Sequence, residues 1–428
     1  MAPRLQSHLD FAAPVWAWQT FHVISNCLPT FEAEFQSLAR AWLPRTADVE
    51  GWGFHENWTS EWQKQPDPSR FLVFQGRLTW NAAAIGLHDP ALRKEMLPCA
   101  LHGAKALMEV MWDKKHGGWW WITDLQGNPL PMCQDQKHLY GISFALYGLA
   151  AAFRLTGDSQ VKAWLEESWE WTDRHAHDEV NGGMRDALGA DGRVLTSPLQ
   201  PGKPLDFLGA SFGGRSQNTA LHVLEALTEV HKALPTTTTK DRLAEMLEIV
   251  LTKMLLPGDW LAVMFTEDWQ PTDLRASYGH DIEAAFLIIE ARRALGRPRG
   301  KEDEIAERIA LASLKGLDEE NGGFWDAEWS KAKGVRKTWW AQAEALGALA
   351  LFAARPGPHQ GRFQAALENQ WSFIERFVLD KAHGGWIPDT DGSGSPFPNQ
   401  GKSHAWQGAY HEIRGLINAI NAAKGIDP

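Results

Sequence analysis

Six otherwise apolar stretches of this chain are interrupted by polar side chains, and four of the interruptions include a histidine, three of them, His222, His280 and His411, in register. The groups are Gln75 and Arg77; His138, Tyr140 and Ser143; Asn218, His222 and Glu225; His280, Asp281 and Glu283; Trp340, Gln342 and Glu344; and Trp406, Gln407, Tyr410 and His411. Their spacing is helical. Asn218 and His222 stand four apart, His280 and Glu283 three, Trp340 and Glu344 four, and Gln407 and His411 four, so each pair shares a helix face. A carboxylate beside an imidazole orients the ring and stabilises its cation, which suits a general acid or base near neutral pH. A single helical histidine is more often a satisfied structural residue. Three in register across a repeat need a common cause, because a buried imidazole or charge without partners is costly. A pocket at the N-terminal ends of the six helices supplies one.

Bringing residues so far apart in sequence to one pocket requires a closed arrangement, and the chain carries its repeat. Short glycine-centred segments recur at Glu50–Phe54, His116–Trp119, Asn181–Met184, Asn321–Phe324 and His383–Trp386, with a degenerate copy at Leu261–Phe265. The spacing is roughly 60 to 80 residues, and fixed-period self-similarity marks a repeat architecture. Each segment reads as a turn plus a short extended piece, since glycine tolerates positive φ and the residues after it favour strand. Apolar runs open near Phe71, Lys137, Ser216, Ser277, Lys337 and Ser403, and a second helical run precedes each turn. The loops are too unequal for an open solenoid. The expected fold is all-α, an (α/α)6 barrel of twelve helices with short β-hairpins at one rim, forming a single domain over residues 1–428.

Composition narrows the function. With 428 residues, 44% of them hydrophobic, the chain can bury a large core. A formal charge of −11 without a basic run argues against nucleic acid. Cys27, Cys99 and Cys133 are too few and too scattered for a disulfide framework, so a reducing, cytoplasmic setting is expected. No uninterrupted run of 18 apolar residues suggests a membrane span. The 23 tryptophans serve mainly packing, although those near the turns, Trp340 and Trp406 above all, could stack on a sugar. No HExxH, CxxC pair, EF-hand, P-loop or GxSxG motif is present, so neither a metal nor another cofactor is expected. Asp281, Glu283 and Glu344 are the acids that a glycoside hydrolase on this scaffold would use.

Four motifs carry a family resemblance: Asn218-Thr219-Ala220-Leu221-His222-Val223-Leu224-Glu225-Ala226, Tyr278-Gly279-His280-Asp281-Ile282-Glu283-Ala284, Trp339-Trp340-Ala341-Gln342-Ala343-Glu344-Ala345 and Tyr410-His411. Together with Gln75-Gly76-Arg77-Leu78-Thr79-Trp80, they make the chain resemble the N-acylglucosamine 2-epimerase superfamily, most of all its cellobiose 2-epimerase branch. The resemblance implies an (α/α)6 barrel that epimerises or isomerises at C2 of a reducing sugar without a redox cofactor. It implies an acid/base pair in His280 and His411, ring opening assisted by His222, and sugar oxygens held by Arg77. Trp340 and Trp406 would stack on the sugar, with Asn218, Glu283 and Glu344 as further binding residues. The expected partner is a small sugar, and the expected state is a monomer or homodimer. Two segments depart from the cellobiose branch. The last motif reads Ala409-Tyr410-His411-Glu412-Ile413-Arg414 where that branch has Pro-Tyr-His-Asn-Gly-Arg, and the rim segment from Ser197 to Arg215 is rich in Pro and Gly. An aldose–ketose isomerase and an (α/α)6 hydrolase are the other enzymes compatible with the pattern; a sugar-binding module without activity is the non-enzymatic reading.

Overall fold

In the computed structural model, residues 15–200 and 202–426 are described. They form thirteen helices. In chain order these are α1 (Val15–Trp42), α2 (Leu72–His88), α3 (Arg93–Lys105), α4 (Leu139–Thr156), α5 (Ser159–Ala176), α6 (Gln217–Ala233) and α7 (Thr237–Ile249). There follow α8 (Tyr278–Ala294), α9 (Lys301–Ser313), α10 (Glu328–Lys333), α11 (Trp339–Ala354), α12 (Gln360–Phe373) and α13 (Tyr410–Ala423). Helices α2, α4, α6, α8, α11 and α13 are buried on nearly every face, as a helix enclosed on both sides must be. Each packs on the next in that order, and α13 returns to α2, closing an inner ring. Outside it, α3, α5, α7, α9 and α12 each cover the inner helix that precedes them, and α1 covers α13. This is the expected (α/α)6 barrel, with the short α10 as one helix more than the repeat announced.

Helix α4 alone among the described helices is long and apolar enough to cross a membrane, but 83% of that stretch is buried in the inner ring. Burial between neighbouring helices accounts for its composition. The inner helices also approach one another closely where glycines face a neighbour. A Cβ added at Gly76 of α2 would lie 2.4 Å from the Phe144 carbonyl oxygen of α4, and one at Gly415 of α13 would lie 2.3 Å from that of Ala343 in α11. These contacts set the spacing of the helices that carry Arg77 and His411.

The glycine turns sit at the ends of the outer helices. All six, the degenerate copy included, are closed by a single antiparallel bridge: Ala47 with Phe54, Trp112 with Trp119, His177 with Met184, Leu255 with Leu261, Leu317 with Phe324 and Leu379 with Trp386. Four small sheets then tie these turns to the starts of inner helices. They pair β1 (Ser69–Phe71) with β2 (Ile122–Asp124), β3 (Gln136–His138) with β4 (Ala187–Gly189), and β8 (Lys337–Thr338) with β9 (Asp389–Thr390). The fourth runs β5 (Arg215–Ser216), β6 (Met264–Phe265) and β7 (Pro271–Asp273). The ring is sealed where Trp58 bridges Ser403, joining the first turn to the approach to α13.

Five of the six turns carry a buried ion pair. The turn aspartate meets a cation just ahead of the following inner helix: Asp48 with Arg70 at 2.6 Å, Asp113 with Lys137 at 2.7 Å, Asp318 with Lys337 at 2.8 Å, Asp380 with Lys402 at 2.5 Å, and Asp178 with Arg215. Lys137 and Lys337 are held alike, each also donating to two backbone carbonyls, Gly117 and Ala190 or Gly322 and Gly392. The degenerate turn has lost both partners together, with Leu256 at the aspartate position and Ala276 at the cation position.

One boundary differs from the sequence reading. The last inner helix starts at Tyr410, not near Ser403, and residues 403–409 form a loop over the barrel mouth. Trp406 and Gln407 therefore precede the helix, and the i,i+4 relation between Gln407 and His411 does not hold. Gly401 and Gly408 in this stretch give the chain the room to cross close to Trp58 and to Leu78 and Phe74.

Candidate active site

The polar interruptions of the inner helices separate into two sets. Gln75 and Gln342 are braces for the turns: each amide donates to and accepts from the backbone of the residue that closes a turn, Phe54 at 2.8 and 2.7 Å, and Phe324 at 2.7 and 2.8 Å. Asp281 does the same for Leu261, accepting its N–H at 3.0 Å. A pocket is thus not the sole reason for polar residues at these positions.

Most of the others converge, while His138 pairs with Asp206 and Ser143 bonds back to the Leu139 carbonyl. Arg77, Tyr140, Asn218, His222, His280, Glu283, Trp339, Trp340, Trp406 and His411 line one cavity of about 270 Å³ at the N-terminal ends of the inner helices. Glu344 lies just beneath it, bonded to His411. All nine residues singled out from the sequence meet here. Of the three acids a hydrolase would need, only Glu283 lines the cavity.

Each imidazole is tied at Nδ1. His222 Nδ1 lies 3.0 Å from Glu225 Oε2, His411 Nδ1 lies 2.7 Å from Glu344 Oε1, and His280 Nδ1 lies 2.7 Å from Ser277 Oγ. The expected His280–Glu283 hydrogen bond is replaced by the one to Ser277, because Glu283 is turned to the Arg414 guanidinium. With Nδ1 occupied, Nε2 is the nitrogen each ring has left for a ligand. Burial lowers the pKa of His280, and Glu283 opposes that; His411 is lowered much further, by burial and then by the nearby Arg77 and Arg414. Neutral imidazoles near pH 7 suit proton abstraction.

Beneath the rings runs a carboxylate layer. Arg414 donates to Glu225 and Glu283, lies 2.7 Å from Glu344, and reaches the Tyr410 hydroxyl at 2.5 Å. Burial alone would raise Glu225, but Arg414, His222 and Tyr410 hold it at about 2. Glu344 is raised well above the ordinary range by burial, with Arg414 opposing. Glu225 and Tyr140 stand among the polar interruptions of the sequence but outside its expected site residues, and Arg414 is in neither set. A signal existed: Glu225 follows His222 by three residues, Glu283 follows His280 by three, and Arg414 follows His411 by three.

Arg77 donates to the Trp406 carbonyl and the Tyr140 hydroxyl, each at 3.0 Å, while its Nε has no protein partner. Phe144 and Tyr410 pack against its guanidinium. The Trp340 indole borders two imidazoles, 4.9 Å from His280 and 5.8 Å from His411 between ring centres. Gly279 leaves room for it, since a Cβ there would come within 2.5 Å of the indole. Trp406, 40% exposed, stands at the mouth beside Phe71 and Trp121.

Two groups among the described residues have ligand atoms close enough for a cation. Glu283, Glu344 and His411 form one, but the Arg414 guanidinium already serves both carboxylates. His138, Asp186 and Asp206 form the other, where the His138 ring takes the Tyr140 N–H at Nδ1 and meets Asp206 at Nε2. Protein hydrogen bonds already engage every residue of both groups, although Glu283 Oε2 has no partner.

A closed (α/α)6 barrel with neutral imidazoles, an arginine and indoles around one mouth defines a carbohydrate epimerase or isomerase, and known proteins agree. The family model described as N-acylglucosamine 2-epimerase matches residues 53–414, and the chain belongs to that family. It is similar to a cellobiose 2-epimerase of Bacteroides fragilis, with 27% identity over 89% of this chain and 94% of the relative. A D-mannose isomerase of Thermobifida fusca is 24% identical over 76% of this chain and 80% of its own. Among solved structures, the cellobiose 2-epimerase of Spirochaeta thermophila superimposes with a TM-score of 0.82 at 25% identity, covering 96% of this chain and all of that one.

Proposed function

We propose that this enzyme inverts C2 of an uncharged reducing aldose of gluco or manno configuration by moving a proton between imidazoles. The observation that carries the reading is the set of three rings tied at Nδ1 around one cavity beside Arg77. The C2 hydrogen of an aldose becomes acidic only once C1 is a free carbonyl, so the ring opens first, with His222 assisting. One of His280 and His411 then removes the proton, leaving a cis-enediolate. Arg77 stabilises its negative oxygen, the kind of electrostatic term that is usually the largest in such catalysis. The other imidazole, entering this step as the imidazolium, returns a proton to the opposite face and becomes neutral, which inverts C2; the first ring keeps the proton it took, and exchange with water resets the pair.

Arg77 is the one cation among the cavity-lining residues, which suits a neutral sugar. Trp340 is available to the reducing ring and Trp406 to a second ring at the mouth. The similarity to cellobiose 2-epimerases supports a disaccharide of the cellobiose type. The likeness to a D-mannose isomerase supports a second outcome, return of the proton to C1, which gives the ketose from the same enediolate.

Incubation in D₂O with cellobiose, glucose, mannose and N-acetylglucosamine, followed by NMR at C2, tests the reading. Deuterium at C2 with the epimer is expected; a ketose signal favours the isomerase, and no exchange with any of them defeats both. His280→Asn and His411→Asn each suppress interconversion by about 10²–10⁴-fold, the usual worth of a positioned acid or base. Prolonged EDTA treatment leaves the rate unchanged, and a loss restored by a divalent metal would contradict the proton-transfer scheme as written.

A further inference from the structure

The three histidines lie on three helices, yet the groups behind them meet at one side chain. Arg414 on α13 contacts Glu225 of α6, Glu283 of α8 and Glu344 of α11. Two of these carboxylates are the ones that hold Nδ1 of His222 and His411. The third, Glu283, lines the cavity next to His280 and has one oxygen bonded to Arg414 and the other without a partner. All four residues are buried. Three carboxylates so close in a dry layer repel one another, and one planar fork with several donors is the group that can serve them together.

We propose that Arg414 is a positioning residue for the reaction proposed above: through Glu225 and Glu344 it fixes the orientation and proton placement of His222 and His411 without touching the sugar. The inference rests on that reading for its consequence in catalysis, but its structural core can be tested without substrate.

Both effects have a physical cause. A carboxylate oxygen that accepts an Arg414 N–H stays a good acceptor for Nδ1–H, so the ring keeps Nε2 unprotonated toward the cavity. In addition, the guanidinium is one of the charges that disfavour a cation at His411. The burial that already raises Glu344 would go unopposed without it, which favours the acid further, and an acid offers Nδ1 a donor where a carboxylate offers an acceptor.

The test is imidazole ¹⁵N NMR on the full chain without substrate, with His222 and His411 assigned by loss of their signals in the Asn variants. Arg414→Gln and Arg414→Lys are compared with the wild type across pH, and kcat and KM are then measured for the sugar that shows C2 exchange. In Arg414→Gln we expect changed Nδ1 and Nε2 shifts for both rings and a His411 titration higher by about one pH unit, a tenfold change in proton affinity. The acidic limb of kcat/KM moves up with it, kcat falls, and KM stays close to the wild-type value. If Arg414→Gln does not fold, Arg414→Lys decides: a compact ammonium lacks the planar fork that spans Glu225, Glu283 and Glu344, so at least one of the two rings changes its shifts. Wild-type tautomers and titrations in whichever variant folds overturn the proposal, even if activity falls. Changed rings in a protein that exchanges C2 of no sugar leave the positioning role standing and refute the epimerase reading.

Discussion

In the proposed reaction, Arg77 is the side chain aimed at the negative oxygen that proton removal from carbon creates. It is buried against Phe144 and Tyr410 and held by two hydrogen bonds, so it is aimed before any ligand arrives. Preorganisation of this kind is what makes a donor effective against developing charge. Arg77→Lys keeps the charge and loses the fork; we expect kcat/KM to fall by about 10²-fold or more, as for the loss of one oxyanion donor, with little change in melting temperature. A drop of only a few-fold would show that the imidazoles carry the negative oxygen without it. At this scale the sequence was informative, because helical spacing placed His222, His280 and His411 in register. It was silent on what each Nδ1 meets. Ser277 takes the place beside His280 that spacing assigned to Glu283, and the competitor, Arg414, comes from a helix more than a hundred residues further on. Local spacing cannot report a contact of that range.

The turns show what holds the helices in register. Lys137 is fully buried, with Asp113 and two carbonyls around its ammonium, so the pair contributes mainly by fixing one geometry. Lys137→Met leaves Asp113 and those carbonyls without a partner and should cost about 3–5 kcal/mol, the range for breaking a buried pair from one side. The combined change Asp113→Asn with Lys137→Met should recover part of that loss in denaturant melts. Equal losses in the single and double variants would mean that the pair is not the unit. The glycine turns and the buried inner helices were legible in the sequence, since φ > 0 and burial leave residue-type marks. The start of α13 was not. Residues 403–409 cross close to Trp58, Leu78 and Phe74 instead of extending the helix, and those contacts leave no mark in the segment itself.

At the level of the whole molecule, closure of the ring buries acids as well as side chains that belong in a core. Asp281 is raised from 3.8 to about 8 and Glu412 from 4.5 to about 8, in both cases by burial first. A carboxyl whose folded pKa is raised adds stability that is complete below its unfolded pKa and is lost as pH climbs through the folded value. These two therefore weaken the barrel progressively from about pH 4 to pH 8. Glu225, held at about 2, acts in the opposite sense: its contribution is present above 4.5 and is lost as pH falls toward 2. Asp281→Asn, which keeps the shape without the charge, should flatten the fall in melting temperature between pH 5 and pH 9 and help most at the alkaline end. A parallel shift at every pH would assign the effect to packing. The barrel was legible as a whole because its repeat is, whereas the seal between Trp58 and Ser403 left no mark in either segment alone. That seal sets an order of events in the cell. Helix α1 leaves the ribosome early, but the inner helix it covers, α13, is made after every other helix of the ring. Until then α1 keeps an apolar face without its partner, and the nascent chain has neither His411 nor Arg414. Such a chain exposes apolar surface during synthesis, and its candidate site is incomplete until the last ring helix is out.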